Sequence, residues 1–265
     1  MSVLGATVAA TSGLARTHPL AKLGASLLVA VALLLSIDPV SAGVALALEL
    51  CALPLFGLGL RAVLVRTLPL LVAAPLAGLT TVLYGVDSGA TLVNVGVVHV
   101  TTGSLLLGLA IALRVLAIGI PGVLLLATTD PTDLADGLAQ VLHLPARFVL
   151  GGLAGLRIAG LLVDDWRVLS LARRARGVGD GGGPLGALRR LGSQVFTLLV
   201  LAVRRGSRLA TAMEARGFGA PIARTWARPS RLRTADALPI AGALVVVGLA
   251  VTAAVLAGTW SFVLA

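Results

Sequence analysis

The chain has 265 residues, 58% of them hydrophobic and only 12% charged, with a mean hydropathy of +1.03. That composition places it in a bilayer and excludes an ordinary soluble domain. The net charge of +10 is then a topology signal, because aromatic residues make up 3% and the arginines flank or interrupt apolar runs, which excludes nucleic-acid binding as its reason.

The opening stretch MSVLGATVAATSGLART lacks a basic start and a long apolar run, so no cleavable signal peptide is expected. A hydrocarbon core of about 30 Å needs roughly 20 apolar residues per helix. Five spans are predicted, at residues 20–37, 41–60, 67–84, 103–128 and 237–264. Cys51, the sole cysteine, lies in the second and cannot form an internal disulfide; it reads as packing. Glu49 in the second span and Arg114 in the fourth are costly charges, for which a structural ion pair or a polar contact is expected. Residues 85–102, rich in Gly, Val and Thr, read as an external loop with short extended pieces; a sixth span would reverse the sidedness of everything after it.

The connections set the orientation. Arg16 precedes the first span and Lys22 lies at its start, Arg61 and Arg66 separate the second from the third, and sixteen arginines from Arg147 to Arg233 lie between the fourth and fifth. The opposite loops carry Asp38 and Asp87 and no lysine or arginine. The positive-inside rule therefore puts the N-terminus in the cytoplasm and the C-terminus outside. The expected organisation is transmembrane helices over 1–128, a cytoplasmic helical domain over 129–236 and a last transmembrane helix over 237–265.

Within 129–236, Asp130 and Pro131 open a short helix that runs to about Leu142, with Thr132 as N-cap and Asp133 and Asp136 in its first turns. A second helix is predicted from Ala146 to Arg176. Its apolar part, 148–163, is broken by Arg157 and closed by Asp164 and Asp165, so it is expected to lie along or oblique to the inner membrane surface. GVGDGGGPLG at 177–186 is a turn. A third helix, 185–216, places Leu188, Leu191, Val195, Leu198, Ala202, Leu209 and Met213 at helical spacing between arginine-rich ends, the pattern of an interfacial amphipathic helix. The fold class is thus an all-α integral membrane protein of about five transmembrane helices plus one short and two long amphipathic helices. Gly217-Phe218-Gly219-Ala220-Pro221 is a sharp stop, and Arg224, Arg228, Arg231 and Arg233 form a basic run suited to orienting the chain on anionic membrane lipids.

The two long helices end alike. Ala175-Arg176-Gly177 closes SLARRARG and Ala215-Arg216-Gly217 closes ATAMEARG. Arginine followed by glycine is an ordinary helix stop, but it also holds a cation where the macrodipole favours it and a partner can reach it. The repetition, with Arg173 and Arg174 beside one copy and Met213, Glu214 and Phe218 beside the other, marks a pair of matched sockets.

RLATAMEARGFGAPIART, residues 208–225, closely resembles the C-terminal signature of the transmembrane T component (EcfT/CbiQ-like) of energy-coupling factor (ECF) transporters, a branch of the ATP-binding-cassette importers. HPLAKL, LATTDPTDL at 126–134, the loop 143–147, Arg157 and ARRARG at 172–177 extend the resemblance over nearly the whole chain, the last departing only by being more basic. The resemblance implies a membrane scaffold whose two coupling helices cross beneath a membrane-embedded, substrate-binding S component and dock on two cytoplasmic ABC ATPases. Arg176 and Arg216 would be the docking cations, Gly177 and Gly217 would allow close approach, and Ala175, Ala215, Arg173, Arg174, Met213, Glu214 and Phe218 would support them. The cargo implied is a vitamin or a transition-metal ion, imported across a bacterial cell membrane.

No catalytic role is expected of this chain. A phosphate-binding loop needs Gly-Lys-Ser/Thr, and the only lysine is Lys22, preceded by Ala21. His18, His99 and His143 lack ligand spacing, and Asp130, Asp133 and Asp136 are accounted for by a helix N-terminus, so no metal site is expected. ATP and magnesium would be bound by the partner ATPases. The alternative reading is a stand-alone secondary transporter or channel using Glu49, against which stands the lack of an inverted repeat; a membrane enzyme lacks any paired catalytic constellation.

Overall fold

A computed structural model of the chain describes residues 17–57, 59–85, 88–95, 98–177, 183–220 and 225–260. The opening stretch with Arg16, most of the glycine-rich turn, Asp87 and Arg224 lie outside the described residues. The elements are α1 (Pro19–Leu34), α2 (Pro39–Ala52), a 3-10 turn (Leu53–Phe56), α3 (Leu60–Tyr84), β1 (Thr91–Val95), β2 (Val98–Thr101), α4 (Thr102–Thr128), α5 (Pro131–Gln140), α6 (Ala146–Ala175), α7 (Gly183–Ala215), a 3-10 turn (Thr234–Asp236) and α8 (Ala237–Leu256). The fold is all-α, with one antiparallel hairpin. These elements form two compact units, residues 131–230 and the remainder.

In the larger unit α1, α2, α4 and α8 surround a core that includes Val29, Leu33, Leu46, Ile120 and Leu124, filled out by Ala45, Ala117, Ala243 and Ala250. Small residues let the backbones come close, which is how helices associate where lipid is as apolar as the core. The α3–α4 contact takes this furthest. A Cβ on Gly78 would sit 2.7 Å from the Gly108 carbonyl oxygen, and one on Gly108 would sit 2.7 Å from that of Gly78.

Polar ties close both ends of this unit. At one, the Asp38 carboxylate caps α2 by accepting from the Ser41 backbone at 2.7 Å and takes hydrogen bonds from the Ser36 and Ser41 hydroxyls, all three residues being buried. At the other, Asp236 accepts from the backbone N–H of His18 and of Arg233, each at 2.6 Å, fastening the start of α1 to the start of α8. Lys22 donates to the carbonyl and hydroxyl of Thr128 at 3.3 Å, joining α1 to the end of α4.

Several predicted boundaries move. The first two spans are shorter than expected: α1 stops at Leu34 because Ser36 and Asp38 start the next cap, and α2 stops before Pro54, where the chain tightens to 3-10 geometry and Gly57 takes φ +63°. Arg61 and Arg66 do not lie in a loop; α3 starts at Leu60 and includes both, with the Arg66 guanidinium reaching the Ala127 carbonyl at 3.5 Å. The last helix ends at Leu256, where Gly258 (φ +65°) forms the stop. The loop 85–102 holds two short extended pieces, as expected, and they pair as the β1–β2 hairpin; α4 follows directly on a Thr101–Ser104 capping box. The short helix begins at Pro131, one residue before the expected cap at Thr132.

Among the described residues, the helices long and apolar enough to cross a membrane are α3, α4, α6, α7 and α8. Five were expected, but not these five: α1 and α2 fall short, whereas α6 and α7, read from their charges as too polar, qualify with mean hydropathies of 1.6 and 1.3 over their most apolar windows. Long apolar stretches outweigh their charges, even though Arg157, Asp164, Asp165 and Arg167 lie inside α6. The chain is a multi-pass membrane protein.

Candidate docking site at two helix ends

The smaller unit is built on α6 and α7, which pack as an antiparallel pair about the glycine-rich turn. Near the turn the Arg173 guanidinium donates to the Ser193 hydroxyl at 3.0 Å and the Arg190 carbonyl at 3.4 Å, and Gln194 donates to the Ser170 hydroxyl at 3.3 Å. Further along, Arg205 forks onto Asp165, with Nη2 to Oδ1 at 3.1 Å. Arg147, at the start of α6, donates to the carbonyl of Gly219, just past the end of α7, at 2.7 Å. The pair is thus held by polar ties, and no described residue of either helix is buried.

Both expected sockets are glycine-terminated caps. At the end of α7 the Gly217 N–H donates to Glu214 and the Phe218 N–H to Met213, each at 2.9 Å, with Gly217 at φ +78°. This is the Schellman arrangement, which satisfies the last carbonyls and needs a residue without a side chain at the left-handed position. At the end of α6 the Gly177 N–H donates to Arg174 at 2.9 Å, with Gly177 at φ +73°. Backbone conformation therefore explains both glycines, since an added Cβ would meet nothing within 4 Å at either.

Ala175, Arg174, Arg176, Ala215, Glu214 and Arg216 are exposed; Met213 and Phe218 are half-buried. The Arg176 and Arg216 side chains make no hydrogen bond or ion pair with any described residue, so each presents a guanidinium from a fixed cap to whatever lies outside. Arg173 differs, being turned onto α7 as a brace. Because the helices are antiparallel, the two ends lie at opposite ends of the pair, separated by about the length of α7, on the order of 45–50 Å at 1.5 Å per residue.

The ties themselves were not foreseen. Asp165–Arg205 and Arg173–Ser193 join residues roughly equidistant from the turn at 177–186, which is the signal that pairing about that turn leaves in the sequence. Asp133 accepts from Arg228 at 3.2 Å, and Gln140 brackets the same segment by donating to the Arg228 carbonyl and accepting from the Ser230 N–H. Arg228, read as part of a lipid-facing run, is thereby tied to α5.

The two charges within the larger unit are not brought together. Gly43 of α2 lies beside Leu113 of α4, whereas Glu49 shares a cleft with Ile120 and Pro121, so the helices run parallel here and Arg114 is about 8 Å away along the axis. Both Glu49 carboxylate oxygens, and Nε and Nη2 of Arg114, are closed off from solvent without a hydrogen-bond partner among the described residues. No group of three or more metal-ligating side chains occurs among the described residues.

The profile of the CbiQ family, described as cobalt transport protein, matches residues 10–225. The chain belongs to this family. It is 32% identical over 169 residues to the energy-coupling factor transporter transmembrane protein EcfT of Listeria innocua, covering 61% of this chain and 64% of that protein. Similarity to the EcfT of Bacillus subtilis is 31% over 145 residues, 52% of this chain and 55% of the relative. The chain thus matches less than two thirds of the length of these curated relatives. Both arginine-bearing ends of this CbiQ-family chain lie inside the 10–225 match, and α8 lies beyond it.

Proposed function

We propose that this chain is the energy-coupling transmembrane scaffold of an ECF-type ABC importer in a bacterial cell membrane. It links two cytoplasmic ATPases, which bind ATP and magnesium, to a membrane-embedded S component, for uptake of a vitamin or a transition-metal ion. The observation that carries this reading is the pair of exposed arginines, without a partner among the described residues, on matched glycine caps at opposite ends of one antiparallel helix pair. Two like sockets far apart on a rigid element suit two like partners. A guanidinium forks onto a carboxylate, so each ATPase would offer an acidic groove to Arg176 or Arg216.

The exposed apolar residues of α6 and α7 support the same reading. Phe148, Leu171, Leu185, Leu188, Phe196 and Val203 are each at least 60% exposed in this chain, an apolar surface that calls for lipid or a membrane-embedded partner such as the S component. Closure of the ATPase pair on ATP would push on the two helix ends and shift this surface beneath the S component.

The deciding experiment is co-purification of ATPases with the full chain and with an Arg176→Ala/Arg216→Ala double variant. Loss of the ATPases and of coupled uptake, with the membrane part still folded, is the expected result. Wild-type uptake by a stable double variant removes these residues from the mechanism. Glu49, which has no hydrogen-bond partner among the described residues, keeps a secondary-transporter reading specific enough to test: the purified chain alone in liposomes is expected to show no substrate-dependent proton flux.

A further inference from the structure

We propose that the two helix ends engage the ATPases in unlike ways. The end at Arg176, joined by Arg174 and Arg189, is an electrostatic steering site for a surface bearing several carboxylates, and the end at Arg216 makes a single short-range contact. The inference deepens the coupling reading and rests on it.

The caps match, but their surroundings do not. Arg174, Arg176 and Arg189 are exposed and make no hydrogen bond or ion pair with any described residue. Arg189 belongs to α7, yet it lies level with the end of α6, because Arg173 reaches the carbonyl of the next residue, Arg190, at 3.4 Å. Pairing about the turn thus gathers cations from two helices onto one end. Packed helices lie about 8–10 Å apart, comparable with a Debye length of about 8 Å at physiological ionic strength, so the fields of these guanidiniums add. Asp180, in the turn and outside the described residues, is the sole acidic residue in the sequence between Asp165 and Arg190.

At the other end the charge is offset. Glu214 stands two residues before Arg216, exposed and without a partner among the described residues. Arg147 is fixed on the Gly219 carbonyl at 2.7 Å, and Arg208 lies two turns back along α7, roughly 12 Å. Anionic lipid would also attract the richer cluster. A fluid lipid surface, however, needs charge without fixed geometry, whereas Arg176 sits on the same glycine-terminated cap as Arg216. The added charge is built onto a protein socket.

The test measures association and dissociation of the ATPases that co-purify with the wild-type chain, on the full chain in nanodiscs of zwitterionic lipid, across a range of salt. Arg174→Gln/Arg189→Gln, which keeps Arg176, should slow association at low salt by roughly tenfold and flatten its salt dependence, with dissociation changed less than about twofold. Arg216→Ala should do the reverse, keeping the salt dependence and speeding dissociation. Arg204→Gln/Arg208→Gln removes the same charge from elsewhere on α7 and should change association less than about twofold.

Equal slowing by the two double variants overturns the inference, because only net charge would then matter. So does a salt dependence that Arg216→Ala abolishes, or one that appears only in nanodiscs of anionic lipid, which would assign the cluster to headgroups. In each of these cases the ATPases still bind and the coupling reading stands. A wild-type chain that retains no ATPase overturns both.

Discussion

Arg176 and Arg216 carry most of the functional argument, and each can be removed without touching a packed contact. A charge-assisted hydrogen bond is worth about 1.5–3 kcal/mol, so Arg216→Ala should weaken ATPase association by roughly 10- to 100-fold, measured by titration of the purified partner. The thermal transition of the membrane part should not move. The neighbouring glycine tests something different. Gly217 is held at φ +78°, where a Cβ costs about 1–2 kcal/mol whatever the surrounding space. Gly217→Ala should therefore loosen the cap and lower uptake, and Gly217→Asn, which tolerates this conformation, should lower it less. Equal loss in both would mean that the glycine serves the partner's approach and not the cap. The residues themselves were legible as a motif, because arginine followed by glycine after a helical run has a local meaning. That no described residue pairs with them was not, since that depends on where every other side chain goes.

Individual helices differ in what holds them. Helix α3 meets α4 backbone to backbone at Gly78 and Gly108, so Gly78→Leu should be destabilising by about 1–3 kcal/mol through overpacking, seen as a lower melting temperature in detergent. Gly24, where an added Cβ meets nothing within 4 Å, is the control and should tolerate Ala. Helices α6 and α7 have no such interface. The Asp165–Arg205 pair is partly exposed, at 25% and 38%, so its contribution is at most about 1 kcal/mol. Replacing both residues by Asn and Gln should leave stability nearly unchanged, yet broaden the distance distribution between spin labels at the far ends of α6 and α7. Periodicity and charge gave the existence of α4 to α8 and the position of the glycine-rich turn. They missed the early ends of α1 and α2, because an apolar run does not say where Asp38 caps or where Pro54 interrupts the ladder.

For the whole molecule the open quantity is sidedness. With Cys51 first changed to Ser, a cysteine at Ala90 in the hairpin segment is expected to react with an impermeant reagent on intact cells, and one at Ala187 in α7 only after permeabilisation. The opposite pattern would defeat the cytoplasmic placement of the two helix ends. Glu49→Gln, which keeps the shape and an acceptor oxygen but cannot titrate, should retain substantial ATP-driven uptake in the assembled complex; a proton flux through the isolated chain that this variant abolishes would instead make it a carrier. Composition alone determined that the chain lives in a membrane, since no soluble fold hides this much apolar surface, and repetition of Ala-Arg-Gly determined which residues to examine. Tertiary structure decided the rest: that Glu49 and Arg114 do not pair, that Arg173 braces α7 while Arg176 meets no described side chain, and that the two caps face opposite ways. The reason is physical. Periodicity and capping are local and are written in neighbouring residues, whereas pairing and exposure depend on how helices far apart in sequence are brought level with one another.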